Sequence, residues 1–138
     1  MLLLLLMTPE SDGQKEEAKE ILEQVLYAKT VSLGPEHSDT YMAECDLSLA
    51  ISSVGNYGVA EELARGALFK LQKVLGSVDP KTLTAVSELA EVLLDLGRYE
   101  EVKALAGRAL EGRERTLGKI HPDTVKSRGE IEAVRECR

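Results

Sequence analysis

Three carboxylates, Asp46, Glu88 and Glu130, recur at a constant interval of 42 residues. Two histidines, His37 and His121, each stand two places before an aspartate, Asp39 and Asp123, and Asp79 takes the corresponding place between them. The chain has two thiols, Cys45 and Cys137. Acid–base or nucleophilic chemistry at the histidines would need a partner fixed against the imidazole, and a metal would need further ligands nearby. Neither accompanies them. The interchange of His and Asp at one register points instead to helix capping, because both side chains can offer an acceptor to a free backbone amide. Cys45 and Cys137 lack metal-type spacing and form no disulfide framework, so a reducing, cytoplasmic setting is expected. No Gly-rich phosphate loop follows a strand, and no Ser–His–Asp or paired-carboxylate arrangement stands out. The chain reads as a non-enzyme, with no catalytic residues, no metal ligands and no cofactor expected. The recurring carboxylates remain as a ladder of like charge, suited to attract cations.

What positions that ladder is a repeat. Leu33-Gly34, Leu75-Gly76 and Leu117-Gly118 share the 42-residue interval, and each is followed by a similar phrase ending in Thr40, Thr82 or Thr124. The apolar skeleton repeats too: Ile21, Leu63 and Leu105; Val25, Ala67 and Ala109; Leu26, Leu68 and Leu110. Gly13, Gly55 and Gly97 are read as opening the units. A period of this size marks a stacked array, in which each unit buries its apolar face only against its neighbours.

The composition fits. Of 138 residues, 43% are hydrophobic and 30% charged; Trp is absent and Phe69 is the one phenylalanine. A core of Leu, Val, Ile and Ala favours helices. The net charge of −7 excludes a nucleic-acid or anionic-membrane surface, which would need clustered Lys and Arg. The run Met1–Met7 lacks a basic flank and is too short to span a bilayer. It is expected to lie over the first helix, covering an apolar face there.

Between the Leu-Gly phrases the apolar spacing is helical. Ala18, Ile21, Leu22, Val25, Leu26 and Ala28 form one stripe. Ser11 and Gln14 fit a capping box, and Gly34 with Pro35 ends the helix. Asp79-Pro80 and His121-Pro122 read as an N-cap followed by Pro at the first helical position. The pattern predicts helices near 14–33, 38–54, 57–75, 80–96, 99–117 and 122–136, joined as antiparallel pairs. The fold expected is an all-α solenoid of about six helices. Residues 1–13 would form an apolar segment and turn, and 14–138 the array. Its units fall near 14–33 (partial), 38–75, 80–117 and 122–138 (partial).

The segments Gly55-Asn56-Tyr57-Gly58-Val59-Ala60 to Ala67-Leu68 and Gly97-Arg98-Tyr99-Glu100-Glu101-Val102 to Ala109-Leu110 resemble the tetratricopeptide repeat pattern. The long loop and the 42-residue period resemble its kinesin light chain subtype. The resemblance implies that the first helix of each pair lines a concave groove where peptides bind. It carries groove positions onto Met42, Cys45, Asp46, Leu49, Ser52 and Ser53, then onto Thr84, Ser87, Glu88, Glu91, Leu94 and Asp95. In the last unit it carries them onto Lys126, Gly129, Glu130, Ala133 and Glu136. Relatives that clamp a carboxylate use Lys and Arg there, which this chain lacks apart from Lys126. In the main structural role, Ala60, Ala64 and Ala67 permit close helix contact, and Tyr57 and Tyr99 would bury their rings near the turns. The functional expectation is a protein–protein interaction module receiving a peptide or partner segment that carries basic residues. The alternative is a structural or self-association segment, forming a homo-oligomer through exposed solenoid ends.

Overall fold

The computed structural model describes residues 12–136. Six helices follow one another with no strand among the described residues: α1 (Asp12–Leu33), α2 (Ser38–Ser53), α3 (Tyr57–Leu75), α4 (Pro80–Asp95), α5 (Tyr99–Leu117) and α6 (Pro122–Glu136). The expected helices are all present, with α2 and α4 one residue shorter. Gly13 lies inside α1 and turns nothing. The Leu2–Leu6 stretch, the Ser11 cap and Cys137 lie outside the described residues.

Local chemistry sets the boundaries. His37 Nδ1 accepts from the Asp39 amide at 3.0 Å, and His121 Nδ1 accepts from the Asp123 amide at 3.1 Å. Asp79 Oδ1 does the same for Lys81 at 2.9 Å, with Pro80 at the start of α4. One N-cap chemistry is thus carried by two residue types. The helices α3 and α5 have no side-chain cap. Their tight turns are closed by backbone bonds from Asn56 to Ile51 at 3.2 Å and from Arg98 to Leu93 at 3.0 Å. At the long loops Gly76 and Gly118 both adopt φ +88°, a conformation that a Cβ would strain.

Each helix packs on its sequence neighbours, and α2 also packs on α4. The latter contact makes α2, α4 and α6 an inner layer and α1, α3 and α5 an outer one. Polar contacts mark the register between units. Lys81 Nζ reaches Asp39 Oδ1 at 2.7 Å, Ser52 Oγ donates to Asp95 Oδ2 at 2.9 Å, and Arg98 bridges to Glu61 at 2.7 Å on the outer layer. The exposed ion pairs contribute about 0–1 kcal/mol each. Apolar burial does more.

The main core joins Tyr41 and Cys45 of α2, Ala64, Ala67, Leu68 and Leu71 of α3, Val86, Leu89 and Leu93 of α4, Val102 and Ala109 of α5, and Val134 of α6. A second cluster of Leu47, Ile51, Ala60 and Val92 reaches Leu22 and Leu26 of α1. The alanines act as expected: Ala60, Ala64, Ala67, Ala106 and Ala109 are wholly buried. A buried side chain the size of Leu71 contributes about 1.5–3 kcal/mol. Tyr57 departs from expectation, with its ring 40% exposed; Tyr99 packs on the core. Along α1, Ile21 is 53% and Val25 36% exposed. One period later, Ala67 at the register of Val25 is buried under α2, because α3 has a preceding inner helix and α1 has none among the described residues. No described helix is long and apolar enough to cross a membrane.

Candidate functional site

The inner layer brings the groove positions into rows. On α2, Met42, Asp46, Leu49 and Ser53 follow i, i+4, i+7 and i+11, so they share one helix face. Thr84, Glu88, Glu91 and Asp95 occupy the same registers on α4, and Lys126 and Glu130 begin the series on α6. Their exposure differs from residue to residue. Asp46, Ser53, Asp95 and Lys126 are exposed, while Met42, Leu49, Thr84, Glu91 and Glu130 are half-buried. Met42 and Leu94 lean on the main core and Leu49 on the second cluster.

Four of the expected groove residues, Cys45, Ser52, Ser87 and Glu88, do not face solvent. Cys45 is wholly buried in the main core. Burial first, and then the charge of Glu88, pushes its thiol well above the usual range. It is a small hydrophobe, not a reactive group. Glu88 is 5% exposed although its counterparts Asp46 and Glu130 are more open. The reason is position: α4 has a neighbour on either side, whereas α2 and α6 flank it.

Burial has an electrostatic consequence. Desolvation, then the charge of Asp46, then a carboxyl–carboxyl hydrogen bond to Asp46 push Glu88 up to about 8. Such a bond requires that one of the two carboxyls be protonated, and Glu88 Oε2 is buried without a hydrogen-bond partner. Glu130 is pushed up to about 7 by burial first and Glu91 second, against the opposing charges of Lys126 and Arg113. Both of its carboxyl oxygens are buried without a donor. The ladder is therefore partly protonated near neutrality rather than an open row of charges.

The cations nearby are committed elsewhere. Lys126 Nζ holds Glu91 Oε1 at 3.1 Å, and Lys70 of α3 holds Glu44 of α2 at 3.1 Å. Arg113 of α5 is the residue that the sequence reasoning missed. Only 4% exposed, it reaches Ser87 Oγ at 2.9 Å, Ser127 Oγ at 2.8 Å and the Asp123 carbonyl at 3.1 Å. It ties α4 to α6 beneath the groove. The signal was available: Lys29, Leu71 and Arg113 share one register, and Leu71 is wholly buried. A cation at a core register demands buried acceptors.

One surface hollow is lined by Gly97–Glu101 at the α4–α5 turn. Among the described residues no group of His, Cys, Asp and Glu is arranged to hold a metal ion.

Residues 82–123 match the tetratricopeptide repeat family. No curated protein matches the chain. A crystal structure of nearly identical, kinesin light chain-type TPR-like repeats from Podosopora anserina superimposes with a TM-score of 0.79 at 27% identity. A single-substitution variant of the same repeats gives 0.78 at 28%. The matches cover 96% and 94% of this chain, and this chain spans 63% and 61% of theirs. The repeat arithmetic, the helix-pair solenoid and these likenesses agree: the chain is a helix-pair solenoid whose 42-residue units are similar to tetratricopeptide repeats of the kinesin light chain type.

Proposed function

We propose that the chain is a protein-interaction module whose inner helices receive a peptide or partner segment carrying Lys or Arg. Tetratricopeptide repeats in general mediate protein–protein contact, and the finer reading rests on one observation. The face shared by Met42, Asp46 and Ser53 continues through Thr84, Glu91 and Asp95 to Lys126, and it sets the exposed carboxylates Asp46 and Asp95 and the half-buried Glu91 against the single cation Lys126. Apolar footing comes from Met42, Leu49 and Leu94, and charge from Asp46 and Asp95. Such a surface favours a basic segment and makes association sensitive to salt. Among the described residues the inner wall comprises α2, α4 and α6, a surface suited to a short segment and a modest affinity. A reducing cytoplasmic setting goes with the reading, supported by the free thiol of Cys45.

The test is fluorescence anisotropy with matched labelled peptides, one basic, one acidic and one neutral, at low and physiological salt. The basic peptide should bind best and weaken with salt. The Asp46→Asn, Asp95→Asn double variant should bind it several-fold less well while melting normally. Equal binding of all three peptides, or no effect of the variant, refutes the proposal.

A second reading has its own observation. The exposed apolar side chains Ile21, Tyr27 and Val31 on α1 suit a self-association or structural role within a longer array. Sedimentation of the chain and of an Ile21→Lys, Val31→Lys variant distinguishes the two. A dimer lost in the variant favours assembly, and a monomer in both favours the groove.

A further inference from the structure

The inner wall contains an electrostatic deficit that the chain itself does not fill. Asp46 and Glu88 lie one period apart on adjacent helices, the first exposed and the second 5% exposed. Together they run from solvent into the interior. Glu88 Oε2 is buried and has no donor. The groups around the pair are Glu44 and Cys45 on α2, Glu91 on α4, Lys126 and Glu130 on α6, Arg113 on α5 and Lys70 on α3. Lys70 is bound to Glu44, Lys126 to Glu91, and Arg113 to Ser87, Ser127 and the Asp123 carbonyl. Apart from the opposing charge of Lys126, a shared proton is what compensates the pair.

We propose that Asp46 and Glu88 together form the receptor for one arginine side chain of the bound partner, the guanidinium taking the place of the shared proton. This rests on the groove reading above and adds to it the identity and address of one partner residue. Arginine suits the pair because its planar fork can donate to two carboxylates at once and stays charged when partly desolvated. A lysine ammonium is a more strongly hydrated point charge and pays more to leave water. Charge and protons balance. The free pair holds one proton and a net charge of −1. The occupied pair holds two carboxylates and one guanidinium, again −1, and the proton passes to the buffer.

Proton release gives the proposal a signature that a merely acidic surface lacks. Affinity should rise with pH, by at most tenfold per unit, until the free pair has lost its own proton near pH 8, and then level. A surface of fully ionised carboxylates would show no such rise over the same range.

The test uses the full chain labelled with ¹³C at glutamate carboxyl carbons, titrated by NMR from pH 5.5 to 9. The probes are the capped peptides Ala-Ala-Arg-Ala-Ala, its lysine counterpart and its citrulline counterpart. With saturating arginine peptide, Glu88 should titrate at least one pH unit lower than in the free chain, and affinity should rise at least fivefold between pH 6.5 and 8.5. The citrulline peptide, neutral and of the same shape, should do neither. The lysine peptide should bind several-fold more weakly than arginine. Asp46→Asn, a substitution at an exposed position, should lose most of the affinity, and because burial still raises Glu88 its remaining pH dependence should move to lower pH. Glu88→Gln should bind weakly and equally at every pH. If backbone signals of α2 and α4 move on adding the arginine peptide while affinity stays flat with pH and Glu88 titrates unchanged, the receptor is refuted and the groove reading survives. If no inner-layer signal moves with any probe, both are refuted. Equal binding of lysine and arginine peptides refutes the forked geometry.

Discussion

Replacing Glu88 by Gln should make the protein more stable at alkaline pH and leave it unchanged in mild acid. The folded chain holds the Glu88 proton up to about pH 8, against an ordinary value of 4.5. Between those values the unfolded chain has released the proton and the folded chain has kept it. Folding stability therefore falls as pH rises, by about 1.4 kcal/mol per unit. The contribution is complete below pH 4.5 and gone above pH 8. Over the whole window it amounts to on the order of 5 kcal/mol, a large part of the roughly 5–15 kcal/mol that holds a domain folded. Gln fills the same volume, has no charge to acquire, and can donate to Asp46 as the protonated acid does.

Urea unfolding followed by far-ultraviolet circular dichroism, at intervals from pH 5 to 9, reads the effect without needing a tryptophan, which the chain lacks. Wild type and variant should coincide near pH 5 and separate by several kcal/mol near pH 9. Glu130 gives the curves a second feature. Its carboxyl, raised to about 7, is present in both proteins and imposes a slope that ends near neutrality. The variant should accordingly level near pH 7 while the wild type continues to fall to about pH 8. Parallel curves over the whole range, or a gain of equal size at pH 5 and pH 9, would refute the argument, because a charge-independent packing change would have produced it.

Two predictions concern packing. Gly66 and Gly112 are both helical, but a Cβ on Gly66 meets nothing within 4 Å whereas one on Gly112 falls 2.9 Å from both δ carbons of buried Leu83. In thermal melts Gly66→Ala should stabilise by about 0.5–1 kcal/mol, while Gly112→Ala should destabilise, overpacking typically costing about 1–3 kcal/mol; gains at both positions would contradict the α4–α5 contact. Removing Arg113 should cost about 3 kcal/mol in urea unfolding as Arg113→Ala, since Ser87 and Ser127 lose their donor in the interior. Arg113→Met should lose less by refilling the volume, and equal, negligible losses would mean that the guanidinium does not bridge α4 and α6.

Most of the fold could be read from the sequence because the 42-residue period acts on every level at once. It aligned Ala60 with Val102 and Ala67 with Ala109 as buried contacts, and it exposed the interchange of His37, Asp79 and His121 as one capping chemistry. The groove rows are a subtler case. Periodicity assigns side chains to a face but does not say how deeply each lies, because depth depends on what flanks the helix. Asp46, Glu88 and Glu130 look equivalent by arithmetic, yet Glu88 sits on the helix with a neighbour on either side and is buried between them. Cys45 misleads for a related reason. It adjoins Asp46 in sequence, but the 100° turn from one residue to the next carries it from the groove wall into the core. Arg113 is legible only through disagreement between registers, as a cation where Leu71 stands one period earlier. Such departures mark where an array stops being a stack of equal units. Here they collect beside a single wall: a buried carboxyl at 88, a buried guanidinium at 113 and a lysine at 126 tied to Glu91. A solenoid that needed only to fold would gain nothing from burying charge at 88 and 113. Their concentration along the inner layer is the physical reason to seek this chain's function there rather than on the outer helices, whose ion pairs lie exposed.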